Sequence, residues 1–211
     1  MAGSWDDYWV ERIASLWPSW DPLLCPFEGL RLIQWVPKWR ERGVRRVLVA
    51  GCGITLVHHA LAHCGFEAVA LDVSATAIEF LRTRSPTDAQ LRFFFQLDEQ
   101  GNARSVFDEY RAPGGSATLV QGDFLDARCA PGPFDLIAAW RCVQHLDGDP
   151  LTRAVEALDD RTGGNGIWYF SVQNDPARLK HVTRVLEARG YAINPEIWPR
   201  RRFLIGGIAS G

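Results

Sequence analysis

Residues 44–74 read V-R-R-V-L-V-A-G-C-G-I-T-L-V-H-H-A-L-A-H-C-G-F-E-A-V-A-L-D-V-S. The pattern is strand, tight turn, helix, tight turn, strand. Val47, Leu48 and Val49 form a short apolar run, as expected of a strand buried on both faces. Gly51-Cys52-Gly53 breaks it, and two glycines allow a sharp turn with room for a ligand against the backbone. Leu56, Ala60 and Leu61 then share a helical face, and Gly65 stands where a left-handed cap is expected. Val69 to Leu71 is a second apolar run, with Asp72 at its carboxyl end. An acid at that point of a βαβ unit is placed for ribose hydroxyls.

The unit is Rossmann-like, and the spacing of its glycines discriminates between ligands. A dinucleotide site has G-x-G-x-x-G, the third glycine passing the pyrophosphate. Here the third position is Leu56, which argues against NAD or FAD. A G-C-G turn followed by an acid at the next strand end resembles the S-adenosylmethionine (SAM) site of class I methyltransferases. SAM has no pyrophosphate, and its amino-acid end can lie along the turn. The competing readings are a dinucleotide site and a plain turn without ligand.

Length and charge fit this reading. The chain has 211 residues and a net charge of -2, which suits one α/β domain spanning residues 1–211. The charge gives no strong field for nucleic acid or anionic membrane. No apolar run approaches the ~20 residues needed to span a bilayer. The five cysteines are scattered and lack C-x-x-C spacing. That pattern suggests a reducing, cytoplasmic setting and no zinc site. His58, His59 and His63 share a helix without the acid of H-E-x-x-H, so they read as a solvated face and not as metal ligands.

Outside this unit the chain continues the alternation. Residues 1–43 hold six of the nine tryptophans, with Trp5, Tyr8 and Trp9 at helical spacing. This segment reads as a helical lid or cover. Trp35 and Trp39, in a helix from about Phe27 to Arg42, read as packing on the sheet, whereas Trp9 is balanced between packing and covering a ligand. Ser74 caps a helix to about Arg84 with Ile78 and Leu81 facing the sheet. An insertion, residues 85–116, precedes the third strand. Within it Leu91 to Leu97 reads as a strand with a hairpin partner after Asn102, the rival being a helix from Arg104. The three phenylalanines of L-R-F-F-F-Q-L fit either a substrate pocket or satellite core.

Ala117–Val120, Phe134–Ala139 and Ile167–Val172 are the next strands, with helices opening at Asp149-Pro150 and Asp175-Pro176. Tyr191–Trp198 and Arg202–Ile208 make a closing antiparallel hairpin. The expected architecture is a Rossmann-like class I methyltransferase sheet, seven-stranded and mostly parallel, with that hairpin at its end. In this class a Gly122-Asp123-Phe124 turn presents its acid and the following N–H to the adenine edge. The resemblance places SAM against Trp9, Gly51, Cys52, Gly53, Asp72, Val73, Asp123, Phe124 and Trp140.

The chain further resembles the thiopurine methyltransferase family. W-D-D-Y-W-V looks like that family's W-x-x-x-W segment, and the glycine turn lacks the third glycine in both. F-D-E-Y-R-A-P-G-G-S-A-T-L-V-Q-G-D-F-L-D resembles the approach to the family's G-D-(F/I)-F element. A-W-R-C-V-Q lies where the family has D-R-(G/A)-A-L, so Arg141 matches its arginine while Trp140 stands at its acid. The resemblance covers about Trp5 to Gln144. It implies transfer of the SAM methyl to a thiol or to an aromatic or heteroaromatic S, O or N acceptor, leaving S-adenosylhomocysteine (SAH).

A sulfonium methyl is already activated, so the protein has to align a nucleophile with it and exclude water. Arg141 can stabilise a thiolate. His145 can take a proton from an oxygen or nitrogen acceptor, or can be an ordinary polar residue before the Asp149 helix. The rival function is an inactive methyltransferase-like SAM-binding or scaffold protein. The partner expected is a small molecule, with the chain a monomer or weak homodimer.

Overall fold

The computed structural model describes residues 4–16, 23–140, 142–164, 166–172, 175–198 and 201–209. Arg141, Trp17 and Trp20 lie outside them.

Strands β1 (Arg46–Ala50), β2 (Glu67–Asp72), β3 (Ser116–Gln121), β4 (Leu136–Trp140) and β5 (Ile167–Val172) pair in parallel. β6 (Tyr191–Trp198) and β7 (Arg201–Ala209) add antiparallel pairing at the β5 edge. The strand order is β3-β2-β1-β4-β5-β7-β6. The order reverses beside β1, so the carboxyl ends of β1 and β4 flank the crevice where ligands of open α/β sheets bind.

Both faces of the parallel sheet are covered. Val47 and Val49 of β1 pack in one core with Ala68, Ala70, Ala138 and Tyr169. Leu48 and Ala50 pack in the other with Leu71, Ile137 and Phe170. The period-two alternation of a strand, with an apolar residue at every position, is what a doubly covered sheet requires. Helices α2 (Phe27–Gln34), α3 (Val36–Glu41), α4 (Val57–His63) and α5 (Ala75–Arg82) cover the first face. Helices α7 (Gly148–Asp159) and α8 (Pro176–Ala188) cover the second. Among the described residues no helix is long and apolar enough to cross a membrane.

Several expectations match in detail. Ser74 caps α5, its side chain accepting from the Ala77 N–H at 3.1 Å, and Ile78 and Leu81 are buried. Gly65 has φ +86° just past α4. Trp39 is buried, and Trp35 packs against the same core.

Others need correction. The helix expected over 27–42 is two helices, divided at Trp35. In the insertion, residues 91–97 form no strand. A short helix α6 (Asp88–Arg92) runs into a 3-10 turn, Phe93–Phe95. What remains of the hairpin is one bridge, Leu97 to Ala103, closed by the Asp98 carboxylate on the N–H groups of Gln100 and Asn102. The missed signal is Thr87-Asp88-Ala89-Gln90, a capping box whose reciprocal bonds are both formed and which commits the chain to a helical turn. Residues 107–109 are a turn, so the rival helix from Arg104 is not formed either. Phe94 and Phe95 are fully buried; they are core, not pocket.

The three histidines of α4 are not a solvated face. His63 is half-buried, stacked on Phe107 at 4.1 Å, with Nε2 2.8 Å from the Phe107 carbonyl oxygen. His58 is fully buried, and among the described residues neither ring nitrogen has a hydrogen-bond partner. Burial pushes its pKa down to about 3, helped by His59 beside it. The unfolded chain takes up this proton near the ordinary 6.5, while the folded chain resists until about 3. Stability therefore falls as the pH drops below 6.5. The loss from this residue is about 2 kcal/mol between pH 6.5 and 5. Replacing it, His58→Gln, should flatten that slope in urea titrations; an equal slope in both proteins would contradict the assignment.

Candidate functional site

The carboxyl ends of β1, β2, β3 and β4 carry the residues singled out from sequence. Gly51 and Gly53 both have positive φ, +62° and +53°, where a side chain is strained. Each also admits a close neighbour. A Cβ on Gly51 would lie 2.2 Å from the Cβ of Cys142, and one on Gly53 would lie 2.4 Å from Cζ2 of Trp9. The turn is therefore a surface that two other segments press against. Cys52 between the glycines is buried, and its N–H donates to the Leu71 carbonyl at 3.1 Å.

Asp72 is 9% exposed. One carboxylate oxygen accepts from the Gly53 N–H at 2.7 Å, the other from the Ser74 N–H at 2.9 Å. Burial pushes its pKa up, against the pull of those two amides. A carboxylate has about four acceptor positions, so each oxygen retains capacity beyond these two bonds. Asp72 thus joins the glycine turn to the start of α5.

Val73 follows and is 50% exposed; Leu125 is 49% exposed. The Gly122 N–H donates to the Asp72 carbonyl at 2.9 Å, so the two strand ends are adjacent. Asp123 is exposed, and one of its oxygens accepts from the Leu125 N–H at 2.8 Å. Phe124 is half-buried and packs on the second core. The ends of β2 and β3 therefore offer two exposed apolar side chains and an exposed carboxylate.

After β4 the arrangement differs from expectation. Trp140 is buried in the first core, its ring edge against Tyr169 at 6.4 Å; its side chain is packing. Arg141 is outside the described residues. His145 closes a 3-10 turn, Val143–His145, and is exposed. Two residues on, Asp147 pairs with Arg178 of α8, which ties this turn to the sheet's second face.

The N-terminal helix α1 (Trp5–Ala14) sits over these loops. Trp5 meets His145 edge-on with ring centroids 4.8 Å apart. Trp9 is half-buried with its ring on Gly53. Asp6 accepts from the Ser74 hydroxyl at 2.6 Å and the Thr76 N–H at 2.9 Å. The Ser74 hydroxyl bond is the largest cause holding its carboxyl below the usual range. Sequence reasoning missed Asp6 and Cys142. Asp6 reads as an ordinary first-turn acid, and its partners lie 68 and 70 residues away.

No family model matches the chain, and no curated protein matches it. Solved structures do. Magnesium protoporphyrin IX methyltransferase from Synechocystis PCC 6803, crystallised with SAM, superposes with a TM-score of 0.62 at 14% identity, covering 98% of this chain and 92% of that one. A TehB-like SAM-dependent methyltransferase from Corynebacterium glutamicum gives 0.56 at 15% identity, covering 97% and 95%. An O-methyltransferase family protein from Burkholderia thailandensis gives 0.57 at 15%, covering 90% and 58%. The chain has the Rossmann-like α/β methyltransferase fold.

The close approach at Gly51 yields a direct test. Gly51→Ala combines a positive φ with a backbone-proximal clash against Cys142, so it should cost at least about 1–2 kcal/mol of stability. A denaturation midpoint equal to wild type would show that the loop after β4 does not rest on this turn.

Proposed function

We propose that the chain is a SAM-dependent methyltransferase acting on a small-molecule acceptor. The observation that carries the proposal is Asp72, a buried carboxylate at the end of β2 bonded to the amide of the glycine turn. The fit to SAM rests on chemistry at adjacent strand ends. The remaining acceptor capacity of Asp72 suits ribose hydroxyls. Val73 and Leu125 suit the faces of a purine, and Asp123 suits its amino group. The positive-φ turn suits the amino-acid end, with Trp9 over it.

SAM supplies an electrophilic methyl group. The residues of this chain then have three tasks. Asp72 and Asp123 fix the nucleoside by accepting hydrogen bonds. Trp9 excludes water from the glycine turn, Trp5 stands edge-on to His145, and a cation–π contact from Trp9 adds about 0.5–2 kcal/mol. His145 is the base, accepting the acceptor's proton on an imidazole nitrogen. The finer reading, a thiol or heteroaromatic acceptor of thiopurine type, is supported by the sequence motifs from Trp5 to Gln144, in which Arg141 matches the family's arginine.

Calorimetry with SAH tests the cofactor. Asp123→Ala, at an exposed position, should weaken SAH binding about 10- to 100-fold, the range for a hydrogen bond to a charged group. NAD should not bind. Unchanged SAH affinity, or a tight NAD complex, would reject the assignment. Turnover is tested separately: with SAM and a panel of thiols and heteroaromatics, His145→Ala should lower the rate of SAH release about 10²- to 10⁴-fold for O and N acceptors, and less for thiols already ionised. No release with any acceptor would favour the inactive SAM-binding reading.

A further inference from the structure

Helix α1 has no buried residue, yet it touches three separate loops at the carboxyl edge of the sheet. Trp5 reaches the turn after β4, Trp9 the turn after β1, and Asp6 the turn after β2. The first two are ring contacts, which have little directionality. The third is directional and charged. A single oxygen of Asp6 accepts from the Ser74 hydroxyl at 2.6 Å and from the Thr76 N–H at 2.9 Å. The Thr76 amide is one of the donors that the first turn of α5 leaves unsatisfied, at the helix end where a negative charge is favoured.

The position of this contact matters as much as its strength. Ser74 is held from both sides: its hydroxyl by Asp6, its amide by Asp72. The charge of Asp6 raises the pKa of Asp72, so the two carboxylates oppose each other across one residue. α1 is therefore fastened two residues beyond the acid assigned to ribose, at Ser74, and against that acid's repulsion. With α1 in this position, the Trp9 ring lies on Gly53 so closely that a Cβ there would meet it at 2.4 Å.

We propose that Asp6 is a positioning residue that fastens α1 over the glycine turn, and that cofactor exchange passes through the breaking of its contact with Ser74 and Thr76. The inference rests on the SAM reading above. A ligand reaching or leaving the backbone of Gly53 has to displace the Trp9 ring. That ring moves with α1, and among the described residues the directional contact holding α1 is Asp6. Trp9 and Ile13 of the helix are half-buried against the first core, but no residue of α1 is fully buried, so its release removes none of the residues that fill either core.

Two measurements test this in the intact chain. Amide hydrogen exchange in the ligand-free protein reads fastening alone. In Asp6→Ala the amides of residues 5–14 should exchange about tenfold faster or more, given a hydrogen bond to a charged group, while the amides of β1 and β4 are unchanged. The release rate of labelled SAH reads gating. It should rise about tenfold in Asp6→Ala, and less in Asp6→Asn, whose amide oxygen still accepts from Thr76 without the charge. In a Trp9→Ala background the Asp6 substitution should no longer change release, because the ring that covers Gly53 is gone. Wild-type exchange of α1 in Asp6→Ala would overturn the fastening, and a wild-type SAH release rate would overturn the gating. Failure of the unsubstituted protein to bind SAH would reject the cofactor reading and the gating with it, while amide exchange would still decide whether Asp6 fastens α1.

Discussion

The edge of the sheet that faces the candidate site depends on one buried carboxylate. Asp72 accepts from the Gly53 and Ser74 amides at 2.7 and 2.9 Å, with only 9% of the residue exposed. Desolvation works against its charge, and the two N–H groups compensate. Removing the carboxylate would leave two amides without these bonds, one in the glycine turn and one at the start of α5. Those are the segments that Trp9 and Asp6 rest on. The geometry of the β1 turn, the cap of α5 and the seat of α1 are thus coupled through one side chain.

That coupling explains why the glycines serve two purposes. Positive φ at Gly51 and Gly53 lets the chain turn from β1 into α4. The missing Cβ atoms also admit Cys142 at one glycine and Trp9 at the other. A ligand at this turn shares it with the protein's own segments, so the covering parts have to be considered with the site. The turn after β4 is restrained from the far side as well, through the Asp147–Arg178 pair.

The central strands of the parallel sheet were readable because they are short, largely apolar runs punctuated by glycine, proline and acids, whereas the edge strand β3, S-A-T-L-V-Q, is mostly exposed. Ile167–Val172 and Tyr191–Trp198 have the bounds expected from sequence. The insertion was not readable in the same way. L-R-F-F-F-Q-L has strand-like composition but no alternation, and the capping box at Thr87 decided its fate. His58 misled because histidine is ordinarily a surface residue, whereas its neighbours on α4 pack into the core. The places of Asp72, Asp123 and the glycines at strand ends and turns were legible, since backbone turns and strand ends follow from local pattern. The roles of Asp6 and Cys142 were not, because each is defined by a partner distant in sequence. Trp140 was read as a ligand contact from its place at a strand end, but the pleat turns its side chain into the core beside Tyr169.

The central claim is that SAM binds along the carboxyl edge defined by Asp72, under α1. A crystal structure of the chain with SAH tests it most directly. The account predicts ribose hydroxyls on the Asp72 carboxylate, the adenine between Val73 and Leu125 with its amino group on Asp123, and the amino-acid end beside Gly53 beneath Trp9. SAH bound elsewhere, or bound at this edge without contact to Asp72, would contradict it.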